Sequence, residues 1–121
     1  MRILLIGLGG GAGAILRYAL ATAVQSAAGG PFPLGTLLVN VLGCFGIGVL
    51  EGLAEARAFG NPEARALLVV GVLGGFTTFS AFANETVLAA KDGGAGVAAA
   101  NVLASLALCL AAVWVGRAVV S

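Results

Sequence analysis

An all-helical membrane protein of four spans is the fold class this sequence predicts, and three observations carry it. Of 121 residues, 60% are hydrophobic and only 9% are charged, against about a quarter charged in an ordinary soluble domain. One crossing takes about 20 apolar residues, so four crossings use most of the chain and leave only short connectors. The turn-rich or charged interruptions fall where four such spans would be separated. The same composition narrows the function. A net charge of +1 gives no footprint for nucleic acid. Histidine is absent, which removes the commonest general base and metal ligand. Cys44 and Cys109 lie in apolar runs with no zinc spacing and are read as buried free thiols.

The first span is expected over 3–28, interrupted only by Arg17, and ends at the turn Gly29-Gly30-Pro31-Phe32-Pro33. Arg2, the apolar stretch after it and Ala19-Leu20-Ala21 loosely resemble a cleaved leader. Arg17 stands where a charge is unwelcome, so no cleavage is expected. The second span, 34–56, runs into a connector carrying Glu51, Glu55, Arg57, Glu63 and Arg65. Asn61-Pro62 is read as the start of the third helix, with proline in its first turn. The third span covers 64–90 and the fourth 95–117, joined by Lys91-Asp92-Gly93-Gly94. The whole chain, 1–121, is read as one multi-pass membrane domain. With alternating helices, Arg2, Arg57, Arg65 and Arg117 fall on one side and Lys91 on the other, with Arg17 towards Lys91's side. That is a mild lean towards cytoplasmic termini, slight enough to permit insertion both ways.

The polar side chains inside the spans are spaced like helix faces. Thr36 and Asn40 share one face of the second span, continued by Gly43. Asn101, Ser105 and Cys109 form a line on the fourth, and Phe76, Phe79, Phe82 and Glu85 recur every third residue in the third. Hydrogen bonding between helices would explain any one such face at about 0.6–2 kcal/mol per group. Three together point to a lined pathway. Glycines at Gly7/Gly11, Gly9/Gly13, Gly48/Gly52 and Gly71/Gly75 have the spacing that lets helix backbones approach closely. Gly74-Gly75-Phe76-Thr77-Thr78 places helix breakers near the middle of the third span, where an interruption frees carbonyls for a cation and amides for an anion. Arg17 and Glu85 are the charges well inside spans, expected to face the bundle interior, water or an interface.

Three segments resemble the Fluc-type fluoride channels, the family also called CrcB. They are Gly10 to Tyr18 in the first span, Gly35 to Phe45 in the second, and Gly71 to Glu85 in the third. The resemblance implies a four-helix subunit with a third helix broken mid-membrane, assembled as an antiparallel, dual-topology homodimer with two pores in the inner membrane. It implies that Phe79 and Phe82 meet fluoride through their ring edges and that Asn40 lines the pore. Thr36, Ser80, Glu85 and Ser105 match further polar pore positions. Gly74 and Thr77 match residues whose backbone carbonyls hold a structural sodium ion. The partners so implied are fluoride, the lipid bilayer and a second copy of the chain, with no nucleic acid. Ala81 departs from the motif where threonine is usual, and Asn101 stands in place of an aromatic hydroxyl.

The physics is compatible with that family. Asn40, Thr36 and Ser80 offer hydrogen-bond donors without a fixed positive charge that would trap an anion. Ring edges carry the positive part of the aromatic quadrupole. The main alternative is a small four-span proton-coupled multidrug exporter, which needs an acidic residue deep in the first span; here that span carries Arg17 and no acid. A lysis pore or purely structural subunit would need neither ordered polar faces nor a helix break. No carboxylate pair or nucleophile-base constellation suggests an enzyme.

Overall fold

The computed structural model describes residues 1–56 and 60–121 and contains only helices among them. Four are long and apolar enough to cross a membrane: α1 (Arg2–Ala28), α2 (Leu34–Glu55), α3 (Pro62–Asp92) and α4 (Ala95–Val120). Each lies within a few residues of its expected bounds; Arg57 falls outside the described residues. Large apolar side chains on α1 and α4 point outward, Ile3, Ile15 and Trp114 among them. That surface would be costly in water and suits lipid. The chain is a multi-pass membrane protein.

Short connectors make sequence neighbours antiparallel. Between α1 and α2, Gly29 and Gly30 adopt left-handed φ angles of 65° and 75°, which glycine reaches without strain. Gln25 holds this turn together. Its Nε2 donates to the Phe32 carbonyl at 3.0 Å, and its Oε1 accepts from the Gly35 N–H at 3.0 Å. At the start of α3, Asn61 Oδ1 accepts from the Glu63 and Ala64 N–H groups, with Pro62 in the first turn as expected. Ion pairs Arg2–Glu63, Arg65–Glu51 and Arg117–Glu55 gather at the end of the bundle that holds the N-terminus.

α3 changes partner along its length. Its first arm comprises Pro62–Arg65, a wider π-wound segment Ala66–Leu73, and Gly74–Phe76; this arm packs on α1. The second arm, Phe79–Asp92, packs on α4. Between them Thr77 (φ −90°, ψ 157°) and Thr78 (φ −153°, ψ 123°) are extended. Gly74 has helical angles, so the extended residues are the two threonines and not the glycine pair. The glycines serve the packing instead. A Cβ on Gly75 would collide with the Gly10 carbonyl, and one on Gly13 with the Val72 carbonyl. The first arm therefore lies backbone to backbone on α1, as the small-residue spacing suggested.

Candidate functional site

The extended pair is held in place by Asn40 of α2. Its Nδ2 donates to the Thr78 carbonyl at 3.0 Å, and its Oδ1 accepts from the Thr78 N–H at 2.9 Å. A side-chain amide matches a peptide group in this two-bond arrangement, and one Nδ2 proton remains over. Thr78 then caps the second arm, its Oγ1 accepting from the Ala81 N–H at 3.1 Å. Thr77 Oγ1 donates to the Leu73 carbonyl at 3.0 Å, which fixes its side chain at the end of the first arm. Thr77's methyl group lies over Gly43, where a Cβ would collide with it.

Continuing helix through this point would have bonded the Thr78 N–H to the Gly74 carbonyl and the Ala81 N–H to the Thr77 carbonyl. Both donors are diverted, to Asn40 and to the Thr78 hydroxyl. The Gly74 and Thr77 carbonyls are thus released from their helical partners. The Gly75 carbonyl is claimed by Arg17, whose Nε donates to it at 3.1 Å. Half-buried Arg17 therefore puts its charge at the carbonyl end of the first arm, where the helix dipole favours a cation.

Six of the residues that the resemblance assigns to the pore or to sodium border one groove of about 360 Å³: Asn40, Gly74, Thr77, Phe79, Phe82 and Ser105. Phe79 and Phe82 form a tilted pair, ring centroids 5.4 Å apart and planes at 46°. Phe79 is 76% exposed, so the groove is open along the ring's side. Thr36 and Glu85 border a second, more polar pocket of about 380 Å³ at the α1–α2 turn, together with Gln25. Glu85 Oε2 is buried there without a hydrogen-bond partner. Ser80 is exposed on the first turn of the second arm, its hydroxyl 3.3 Å from that of Thr78.

Asn101 is 1% exposed and lies under the groove rather than in it. Its Nδ2 donates to Thr86 Oγ1 at 2.8 Å, and its Oδ1 accepts from Ser105 Oγ at 3.3 Å. Thr86 Oγ1 in turn donates to the Phe82 carbonyl at 2.7 Å. The chain of bonds ties α4 to the backbone that carries Phe82. Sequence reasoning passed over Thr86 and Gln25. Thr86 lies four residues after Phe82, a spacing that could have pointed to it. Gln25 lies just before a Gly-Gly-Pro turn. Cys44 and Cys109 are free, as expected, but half-buried at the groove rather than fully enclosed.

The family profile described as "CrcB-like protein, Camphor Resistance (CrcB)" matches residues 4–117. The chain belongs to the CrcB family. A CrcB-family protein of Solibacter usitatus is 52% identical over 116 residues, 96% of this chain and 95% of its own. One from Shewanella sp. (strain ANA-3) is 46% identical over 118 residues, 98% and 94% of the two chains, and one from Shewanella baltica (strain OS185) is 44% identical over the same shares. Each is named "Fluoride-specific ion channel FluC".

Proposed function

We propose that this CrcB-family chain is a fluoride-selective channel that lets fluoride leave the cell passively across the inner membrane, relieving its toxicity in the cytoplasm. The observation that carries the reading is the near full-length similarity to relatives named as fluoride channels, at up to 52% identity. The groove supports it. Fluoride is small and strongly hydrated, so its water must be replaced by several donors in succession. Asn40, with one Nδ2 proton left over, borders the groove with Phe79 and Phe82, whose rims carry positive quadrupole charge, while the Ser105 hydroxyl there is given to Asn101 Oδ1. Thr36, Ser80 and Glu85 line the approaches. None of the groove donors is a fixed cation, so the ion can enter and leave. No acid lies in α1, which disfavours the proton-coupled exporter.

The active unit in this reading is an antiparallel homodimer of subunits inserted in both orientations. One copy leaves Phe79 exposed and the groove open, so a second copy supplies the other wall. The third span is interrupted at mid-membrane by Thr77 and Thr78. The Gly74 and Thr77 carbonyls, relieved of their helical donors and bordering the groove, fit a hard monovalent cation. Two copies would hold a structural sodium ion with four such oxygens, and its charge would fix the break without taking part in transport.

The deciding experiment is fluoride efflux from liposomes reconstituted with this chain alone, with chloride as control. Rapid fluoride efflux with chloride retained is expected; equal release of both ions, or none, overturns the reading. Topology is read separately with Ser121→Cys in a background of Cys44→Ser and Cys109→Ser, labelled from outside intact vesicles with an impermeant reagent. Labelling of about half the molecules is expected from dual insertion, and all or none would rule it out.

A further inference from the structure

We infer that Cys44 and Cys109 together form a dithiol site, bridging α2 and α4 beside the groove, for a soft thiophilic centre that bonds two sulfurs. The two helices run parallel in a fixed register. A Cβ on Gly48 would collide with the Val113 backbone, and one on Gly52 would lie 3.3 Å from the Arg117 Cα. Positions 48 and 52 of α2 thus face 113 and 117 of α4. One turn earlier the same register sets Cys44 against Cys109. Both are free, half-buried and border the groove. One turn earlier again, the register sets Asn40 against Ser105.

The surroundings decide what such a pair can hold. Soft thiolate ligands select soft, polarisable centres. A charged complex in an apolar, membrane-spanning region is costly. A trivalent arsenical avoids that cost. Phenylarsine oxide reacts with two thiols to form two As–S bonds, and its oxygen leaves with both thiol protons as water. The product is neutral and needs no oxidant. Mercuric chloride likewise gives a neutral bis-thiolate, with two chlorides and two protons released. Closure fixes α2 to α4 one turn from Asn40 and Ser105, and it lowers fluoride flux. This last step rests on the channel reading; binding itself does not.

The test uses phenylarsine oxide, a small neutral reagent able to reach the site through lipid, on the full chain in liposomes. Intact mass and thiol counting should show one arsenic per chain and both thiols consumed. The adduct should survive washing with 2-mercaptoethanol and come off with 2,3-dimercaptopropanol, since only a dithiol competes with a two-sulfur chelate. Cys44→Ser and Cys109→Ser should each lose the adduct in the monothiol wash. An adduct that washes off the unaltered chain, or one held equally by the single-cysteine chains, overturns the site. In parallel, the reagent should reduce fluoride efflux through the unaltered chain and leave efflux through the doubly substituted chain at its untreated rate. A stable adduct with undiminished efflux overturns the closure step. Absence of fluoride efflux before any reagent is added is a failure of the channel reading and leaves the mass measurement to decide the site.

Discussion

The two arms of α3 are held by different physics. The first lies on α1 through glycine backbones, Gly9 against Gly71, Gly10 against Gly75 and Gly13 against Val72 and Phe76, with contacts too close for any side chain to intervene. Packing of that kind is rigid because a carbonyl cannot move aside as a side-chain tip can. The second arm is held on α4 by the hydrogen bonds of Thr86, Asn101 and Ser105, and it leaves Phe79 bare. One arm is a fixed mount; the other carries Phe79 and Phe82 into the groove on a polar hinge. Asn40 joins them by giving Thr78 the backbone partners that neither arm supplies.

The largest effect should therefore follow from breaking that join. Asn40→Asp replaces the donor to the Thr78 carbonyl with a second acceptor, and on the proposed channel reading it places negative charge in the anion's path. Fluoride efflux should fall to near background. Asn40→Ser keeps a shorter donor and should be milder. An aspartate variant with full efflux would remove Asn40 from both roles. Next come the rings of the second arm. Phe79→Ile and Phe82→Ile keep bulk and lose the ring edge, so efflux should drop strongly while gel filtration shows the same elution as the unaltered chain. Unchanged efflux in both variants would reduce the rings to packing.

The mount should respond in stability before it responds in transport. Gly13→Ala sets a methyl group against the Val72 carbonyl and Phe76 N–H, and overpacking of this kind costs about 1–3 kcal/mol. A lowered thermal midpoint in detergent is expected. Gly11→Ala, where a Cβ meets nothing within 4 Å, should leave the midpoint in place. Equal shifts in the two variants would mean that α1 is not held through this seam.

What could be read from sequence divides along the same line. The spans, the Asn61-Pro62 start and the glycine spacing are local patterns, legible because apolar runs and caps act over a few residues. The convergence of Asn40 with Phe79 and Phe82 was reached through resemblance, and the groove brings those residues together. The clamp of Asn40 on Thr78 joins residues 38 apart in the chain, and no periodicity encodes it. Gly74 and Gly75 read as helix breakers by propensity, yet tertiary packing on α1 keeps them helical and moves the extended residues to the threonines. The register that pairs Cys44 with Cys109 depends on how α2 meets α4, which neither helix announces alone.

The smallest expected effect tests the polar hinge itself. Thr86→Val keeps the shape and removes one hydroxyl, which both accepts from Asn101 and donates to the Phe82 carbonyl. Asn101, buried at 1% exposure, then has an amide donor without an acceptor, a loss of about 1–3 kcal/mol. Thr86→Ser retains the hydroxyl and should recover most of it. Asn101→Leu alone leaves the Ser105 hydroxyl without its acceptor and takes the Asn101 donor from Thr86 Oγ1, which still donates to the Phe82 carbonyl. Replacing both partners by apolar groups removes the stranded pair, so Thr86→Val with Asn101→Leu should be less destabilised than the sum of the single changes. Unfolding midpoints of the four chains, with fluoride efflux beside them, measure this coupling. Strict additivity would mean that the second arm rests on α4 by apolar contact alone. Non-additive stability with efflux following it would make Asn101 the residue through which α4 positions Phe82.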